Sequence, residues 1–169
     1  MHMKIRGCFI QKFIKYWFPV ICSMCFISWM STESFSSQNT FSWTEMVLRF
    51  LASKISPQEI ELIHAFVRKA AHFIEYFILG LLLVRAFRGD FTESWKWRWS
   101  LFALIVLILW AAIDEFHQSF VSTRTASALD VGIDTAGGML AQLVGALWHR
   151  YRRKEFRRRS LCLLPTSNS

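Results

Sequence analysis

The sequence predicts an all-α integral membrane protein: a four-helix bundle of transmembrane spans, with a short amphipathic extracytoplasmic helix between spans one and two. Three observations carry that prediction. Of 169 residues, 53% are apolar and 16% aromatic, with a mean hydropathy of +0.29, more than a soluble domain of this length carries. Four apolar stretches approach the ~20 residues that cross a hydrocarbon core of ~30 Å. No stretch alternates with the period of a strand, and lipid admits only helices or closed barrels.

Span one covers residues 14 to 30, "IKYWFPVICSMCFISWM". Basic residues precede it and "STESFSSQNT" follows, an arrangement shared with cleaved signal peptides. An uncleaved anchor is expected, because no A-x-A-like site follows and Trp17 and Trp29 stand where interface aromatics belong. Cys22 and Cys25 form a CxxC inside this span; with no helix terminus or βαβ context, they read as small hydrophobes.

The connection from 31 to 56 holds two capping-box signals, Ser42 with Glu45 and Ser56 with Glu59. After Ser42, Trp43, Met46, Val47, Phe50 and Leu51 recur at helical spacing. Such a helix lies on the membrane surface or packs over the bundle mouth, and the pattern alone serves both.

Ser56-Pro57 starts span two, since proline at the first helical position gives up no needed amide. The span is expected from Pro57 to Arg88, with Gly89 as its stop. Trp95, Trp97 and Trp99 then alternate with cations as an interfacial belt before span three, Ser100 to Val121. "STRTASA" leads to span four, Leu129 to Trp148. There Gly137, Ala141 and Gly145, and also Gly138 and Gln142, repeat every four residues, a spacing that lets a neighbouring backbone approach. The chain therefore divides into a four-span domain, 14–148, and a basic tail, 149–169.

The net charge of +8 first suggests nucleic acid. However, fifteen of the twenty Lys and Arg fall in three blocks, at the N-terminus, residues 85–98 and the tail. That is a positive-inside pattern, with anionic lipid as the partner and no nucleic acid expected. It puts both termini in the cytoplasm of a bacterial cell membrane.

In that orientation three spans bring polar residues to one outer layer. Span two supplies Lys69, His72 and Tyr76; span three supplies Asp114, Glu115, His117 and Gln118; span four opens with Asp130 and Asp134. A charged group costs on the order of 3 kcal/mol at the centre of a span, less near the interface, so these residues are expected to face one another.

These residues also carry a resemblance. "RKAAHFIEYFILGLLL" and "DEFHQSFVSTRTASALDVGIDTAGG" resemble, in order and spacing, the Lys-x-x-His-x-x-x-Tyr-x-x-Leu-Gly and Asp-Glu-x-x-Gln … Arg … Asp-x-x-x-(Asn/Asp)-x-x-Gly-x-x-x-Gly segments of the VanZ-like family; "FSSQ" is a weaker match. The likeness covers roughly residues 14 to 148. Two departures are Asp134, where many relatives have asparagine, and Ala141, on which the run's last glycine falls. The resemblance implies a cell-envelope membrane protein, with some members linked to teicoplanin-type glycopeptide resistance. It brings no established reaction.

Several readings of the layer follow. In the first, an outward-facing pocket binds, and if chemistry occurs modifies, an anionic lipid-linked envelope precursor. Lys69 and Arg124 hold its phosphate or carboxylate; Tyr76, Gln118, Asp130 and Asp134 complete the binding site. Glu115 with His117 or His72, and Asp114 beside them, form the acid/base set. In the second, the layer is a polar network that only holds the helices in register. A metal site built on His72 with Glu75 and Asp114 with His117 lacks the Glu-x-x-His form. A proton or ion path would need oligomerisation, because the inner halves of the spans are apolar, and the sequence leaves an oligomer open. No cofactor or metal is expected.

Overall fold

A computed structural model describes residues 10–32, 37–52, 54–89, 95–120 and 127–162. Among them there are six helices and no strand. They are α1 Ile10–Tyr16, α2 Phe18–Met30, α3 Ser37–Leu51, α4 Pro57–Arg88, α5 Trp97–Gln118 and α6 Ala128–Cys162.

α1 and α2 form one apolar stretch bent by 41°. Pro19 sits at the start of α2; it has no amide to return to the carbonyl of Lys15, and its ring crowds that carbonyl. The backbone bonds from Trp17 to Phe13 and from Ile21 to Trp17 continue on either side of the bend.

α3 begins at Ser37, five residues before the start expected at Ser42. Ser42 is therefore a helix-interior residue and not the N-cap. The hydroxyl of Thr44 bonds back to the carbonyl of Thr40 at 2.9 Å, so the polar residues before Ser42 already lie on the helix. α3 meets α4 through Thr44 and Phe41. Thr44 Oγ1 lies 3.1 Å from His64 Nδ1, and the Phe41 ring packs edge-on to the His64 ring. Trp43, Met46, Val47 and Phe50 point away from the bundle and are exposed. The apolar face of α3 thus does not close the bundle mouth.

α4 starts and stops where the sequence places it. Ser56 and Glu59 form a complete capping box, Pro57 follows, and Gly89 ends the helix at φ 57°. Glycine takes that left-handed conformation without a Cβ penalty. α5 begins three residues before the expected Ser100 and ends at Gln118. Trp97 and Trp99, expected as a belt ahead of the span, are part of its first turn. α6 passes the expected end at Trp148 without a break and continues to Cys162. The segment "HRYRRKEFRRRS" contains no proline or glycine, and its cations suit a helix C-terminus.

Two helices, α4 and α5, are long and apolar enough to cross a membrane, and the bent pair α1 and α2 makes a third if it is one span. Only 33% and 28% of their most apolar stretches are buried in the protein. The remaining faces present Phe66, Ile74, Ile78, Ile105, Leu109 and Ile113 outward, a surface suited to lipid rather than water. The core runs between them: Val20 and Ile27 of α2, Tyr76, Leu79 and Leu83 of α4, and Ala103, Leu107 and Ala111 of α5.

α6 packs most closely on α4, and glycine makes this possible. A Cβ on Gly137 would run into the backbone carbonyl of Phe73, and one on Gly80 would lie 2.8 Å from the Cβ of Ala141. Of the small residues spaced every four along α6, Gly137 and Ala141 meet α4, while Gly138 also meets Leu107 of α5 and Gly145 meets Trp95.

Candidate functional site

The C-terminal turns of α5, the N-terminal turns of α6 and the first half of α4 lie at one end of the bundle. They enclose a cavity of about 100 Å³. α4 lines it with Ala65, Arg68, Lys69 and His72, α5 with Glu115 and Gln118, and α6 with Asp130, Ile133 and Asp134. The one-in-four and one-in-three spacing of Arg68, Lys69 and His72 places all three on the same side of α4.

At the mouth, Lys69 Nζ donates to Asp130 Oδ1 at 3.0 Å, with both side chains over two-fifths exposed. Water screens such a pair, whose worth is about 0–1 kcal/mol. Deeper in, Asp134 is only 3% exposed. Its Oδ1 lies 3.8 Å from His72 Nδ1, beyond hydrogen-bonding range. Asp134 also lies in the electrostatic field of Asp114, Asp130, Glu115 and Glu75.

Glu115 closes the α6 side. It accepts the backbone N–H of Ser127, and the Ser127 hydroxyl accepts the N–H of Leu129 at 3.3 Å. A carboxylate and a serine together thus serve the free amides at the start of α6, where the helix dipole favours negative charge.

A second polar group lies behind the cavity wall. Ser31, the residue ending α2, donates to Asp114 Oδ2 at 2.8 Å. The Gln118 amide donates to that same oxygen at 3.0 Å and to Ser31 Oγ at 3.2 Å. All three side chains are buried. This triad ties α2 to α5. Tyr76 is fully buried nearby, in the field of Asp114 and Asp134, and its hydroxyl has no hydrogen-bond partner among the described residues.

The sequence-derived set is therefore brought together in part. Lys69, His72, Glu115, Gln118, Asp130 and Asp134 line the cavity, while Asp114 and Tyr76 stand behind it. His117 is exposed and does not line the cavity, on the side of α5 where Phe116 and Phe120 stack edge to face. Its place follows from position: two residues beyond Glu115 is about 200° around the helix. Arg124 lies outside the described residues.

Two participants escaped the sequence reading. Arg68 lines the cavity, and its signal was its position four residues before His72. Ser31 was read only as the start of a polar connection, and nothing in its neighbourhood distinguished it. Among the described residues, no three His, Cys, Asp or Glu side chains are grouped to hold a metal ion. Cys22 and Cys25 are both free and exposed.

No curated protein and no solved structure matches the chain. A protein-family model, described as VanZ/LLP1, matches residues 16–149.

Proposed function

The chain belongs to the VanZ/LLP1 family of membrane proteins, and from its polar cavity we propose that it binds the anionic headgroup of a lipid-linked cell-envelope molecule. The observation that carries this reading is the cavity itself, with Arg68 and Lys69 beside His72 on one wall and open at the mouth. Two cations a residue apart suit a phosphate or carboxylate, Arg68 by its planar fork and Lys69 as a point charge.

Orientation supports the same reading. With the basic blocks inside, the cavity opens on the outer side of the bacterial cytoplasmic membrane, where envelope precursors are used. α6 then serves as a fourth span despite its glycines, Asp134 and Gln142, because α4 and α5 cover its polar positions. Both termini return to the cytoplasm. A contribution to teicoplanin-type glycopeptide resistance follows as the cellular role, by sequestering or presenting an envelope molecule.

Binding is better supported than turnover. Glu115 is engaged at the start of α6, and His117 faces away, which leaves His72 with Asp134 as the remaining acid/base pair. The register-holding reading applies to one part of the layer: Ser31, Asp114 Oδ2 and Gln118 bond to one another. The test is Arg68→Gln and Lys69→Gln, each scored for membrane abundance and teicoplanin susceptibility. Increased susceptibility at normal abundance supports a binding site; unchanged susceptibility in both sinks it.

A further inference from the structure

The cavity differs between its mouth, where Lys69 is paired with Asp130 beside Arg68, and its buried end. Arg68 and Lys69 stand toward the mouth, and Lys69 is 46% exposed. At the other end Asp134 Oδ1 is buried and has no hydrogen-bond partner among the described residues. Asp114 Oδ1 and the Tyr76 hydroxyl are buried without partners in the same way. Asp114, Asp130, Glu115 and Glu75 lie close enough to act on Asp134 electrostatically.

A buried carboxylate oxygen that lines a cavity without a partner calls for a donor from within that cavity, and Asp134 Oδ1 is such an oxygen; Tyr76, behind the wall, can donate as well as accept. The donor has constraints. A second anion would be repelled by Asp134 and its neighbours. A quaternary ammonium has charge but no N–H to give. A primary ammonium offers three N–H donors and a positive charge, and the cavity volume suits a small headgroup or a few waters.

We infer that the cavity takes a zwitterionic headgroup, with its phosphate or carboxylate at Arg68 and Lys69 and its primary ammonium on Asp134. This rests on the cavity being a headgroup site and adds the class of headgroup. His72, 3.8 Å from Asp134, flanks the ammonium seat, and Tyr76 supplies a hydroxyl oxygen behind it.

The test uses the full chain in detergent micelles, with native mass spectrometry of bound lipid. Phosphatidylethanolamine, phosphatidylcholine and phosphatidylglycerol of identical acyl chains compete in equal amounts. Phosphatidylethanolamine is expected to be retained about tenfold over each of the others, the scale of one charge-assisted hydrogen bond. Asp134→Asn should bring it down to the level of phosphatidylglycerol, with Tyr76→Phe as a second variant that keeps the packing and weakens the preference. Should both variants misfold, the ranking of the three lipids on the unaltered protein decides alone. Soluble phosphoethanolamine is expected to displace the bound lipid and inorganic phosphate is not; displacement by both alike, or by neither, overturns the ammonium seat.

Failure of the inference and of the reading beneath it look different. Equal retention of phosphatidylglycerol and phosphatidylethanolamine, both weakened by Arg68→Gln, overturns the ammonium seat and leaves an anion site. No retention above background, insensitive to Arg68→Gln, overturns the headgroup site as well.

Discussion

Asp114 and Asp134 are acids of the same layer with different surroundings, and substitution should tell them apart. Asp114 Oδ2 is the shared acceptor of Ser31 and Gln118. Asp114→Ala strands two buried donors and is expected to cost about 1–3 kcal/mol, read as a lower melting temperature of the purified protein. Lys69→Gln removes only a half-exposed pair, so stability should change by less than about 1 kcal/mol while ligand retention falls. The helical period sufficed to place Lys69, His72, Asp130 and Asp134 together, because each is an ionisable group inside an apolar run. It did not fix the angular position of His117, where four polar or ionisable candidates among the five residues 114–118 left the inward face of α5 undecided. Arg68 was legible in principle, since it shares the face of His72, but Lys69 beside it drew the assignment.

At the scale of elements, α4 shows what local signals determine. Thirty-two residues make a helix of about 48 Å against a core of ~30 Å, so part of it extends past the core, and the exposed, capped first turn is the end suited to water. There the backbone N–H of Ser56, and then its hydroxyl, hold the Glu59 carboxyl below its ordinary value. A depressed acid stabilises the fold above its unfolded pKa of about 4.5, and that contribution is lost as pH falls through the lower, folded value. Ser56→Ala is expected to cost about 1 kcal/mol and to speed amide exchange at residues 58–60, with the gap to the wild type narrowing as Glu59 is protonated in acid. Gly137 tests packing in the same manner. Gly137→Ala forces a methyl against the Phe73 carbonyl and should lower folded yield sharply, whereas Gly132→Ala, whose Cβ meets nothing within 4 Å, should not. The bounds of α4 were readable because a capping box, a proline and a glycine mark them. α3 and α6 overran their expected limits because residues such as Thr40 or Arg153 neither start nor stop a helix by themselves, and their neighbours decide.

The whole molecule combines an all-helical bundle, a lipid-suited exterior and a polar cavity at one end. Composition and run length made the helical membrane class legible. α6, expected from the sequence as a fourth span, is not among the helices apolar enough to cross a membrane, since the glycines and polar residues that let it pack on α4 also lower its apolar content. Topology can be read in a variant lacking the native cysteines. Cysteine at Ala128 should react with an impermeant maleimide on intact cells, and cysteine at Tyr151, which is 62% exposed, only after the membrane is opened. The central claim is that the cavity holds an envelope headgroup through Arg68 and Lys69. Its most direct measurement is the lipid that co-purifies with the full chain, compared with that of the Arg68→Gln, Lys69→Gln double variant at equal folded yield. A phosphate- or carboxylate-bearing lipid is expected at about one per chain in the first and lost from the second; identical lipid content in both would rule the headgroup site out.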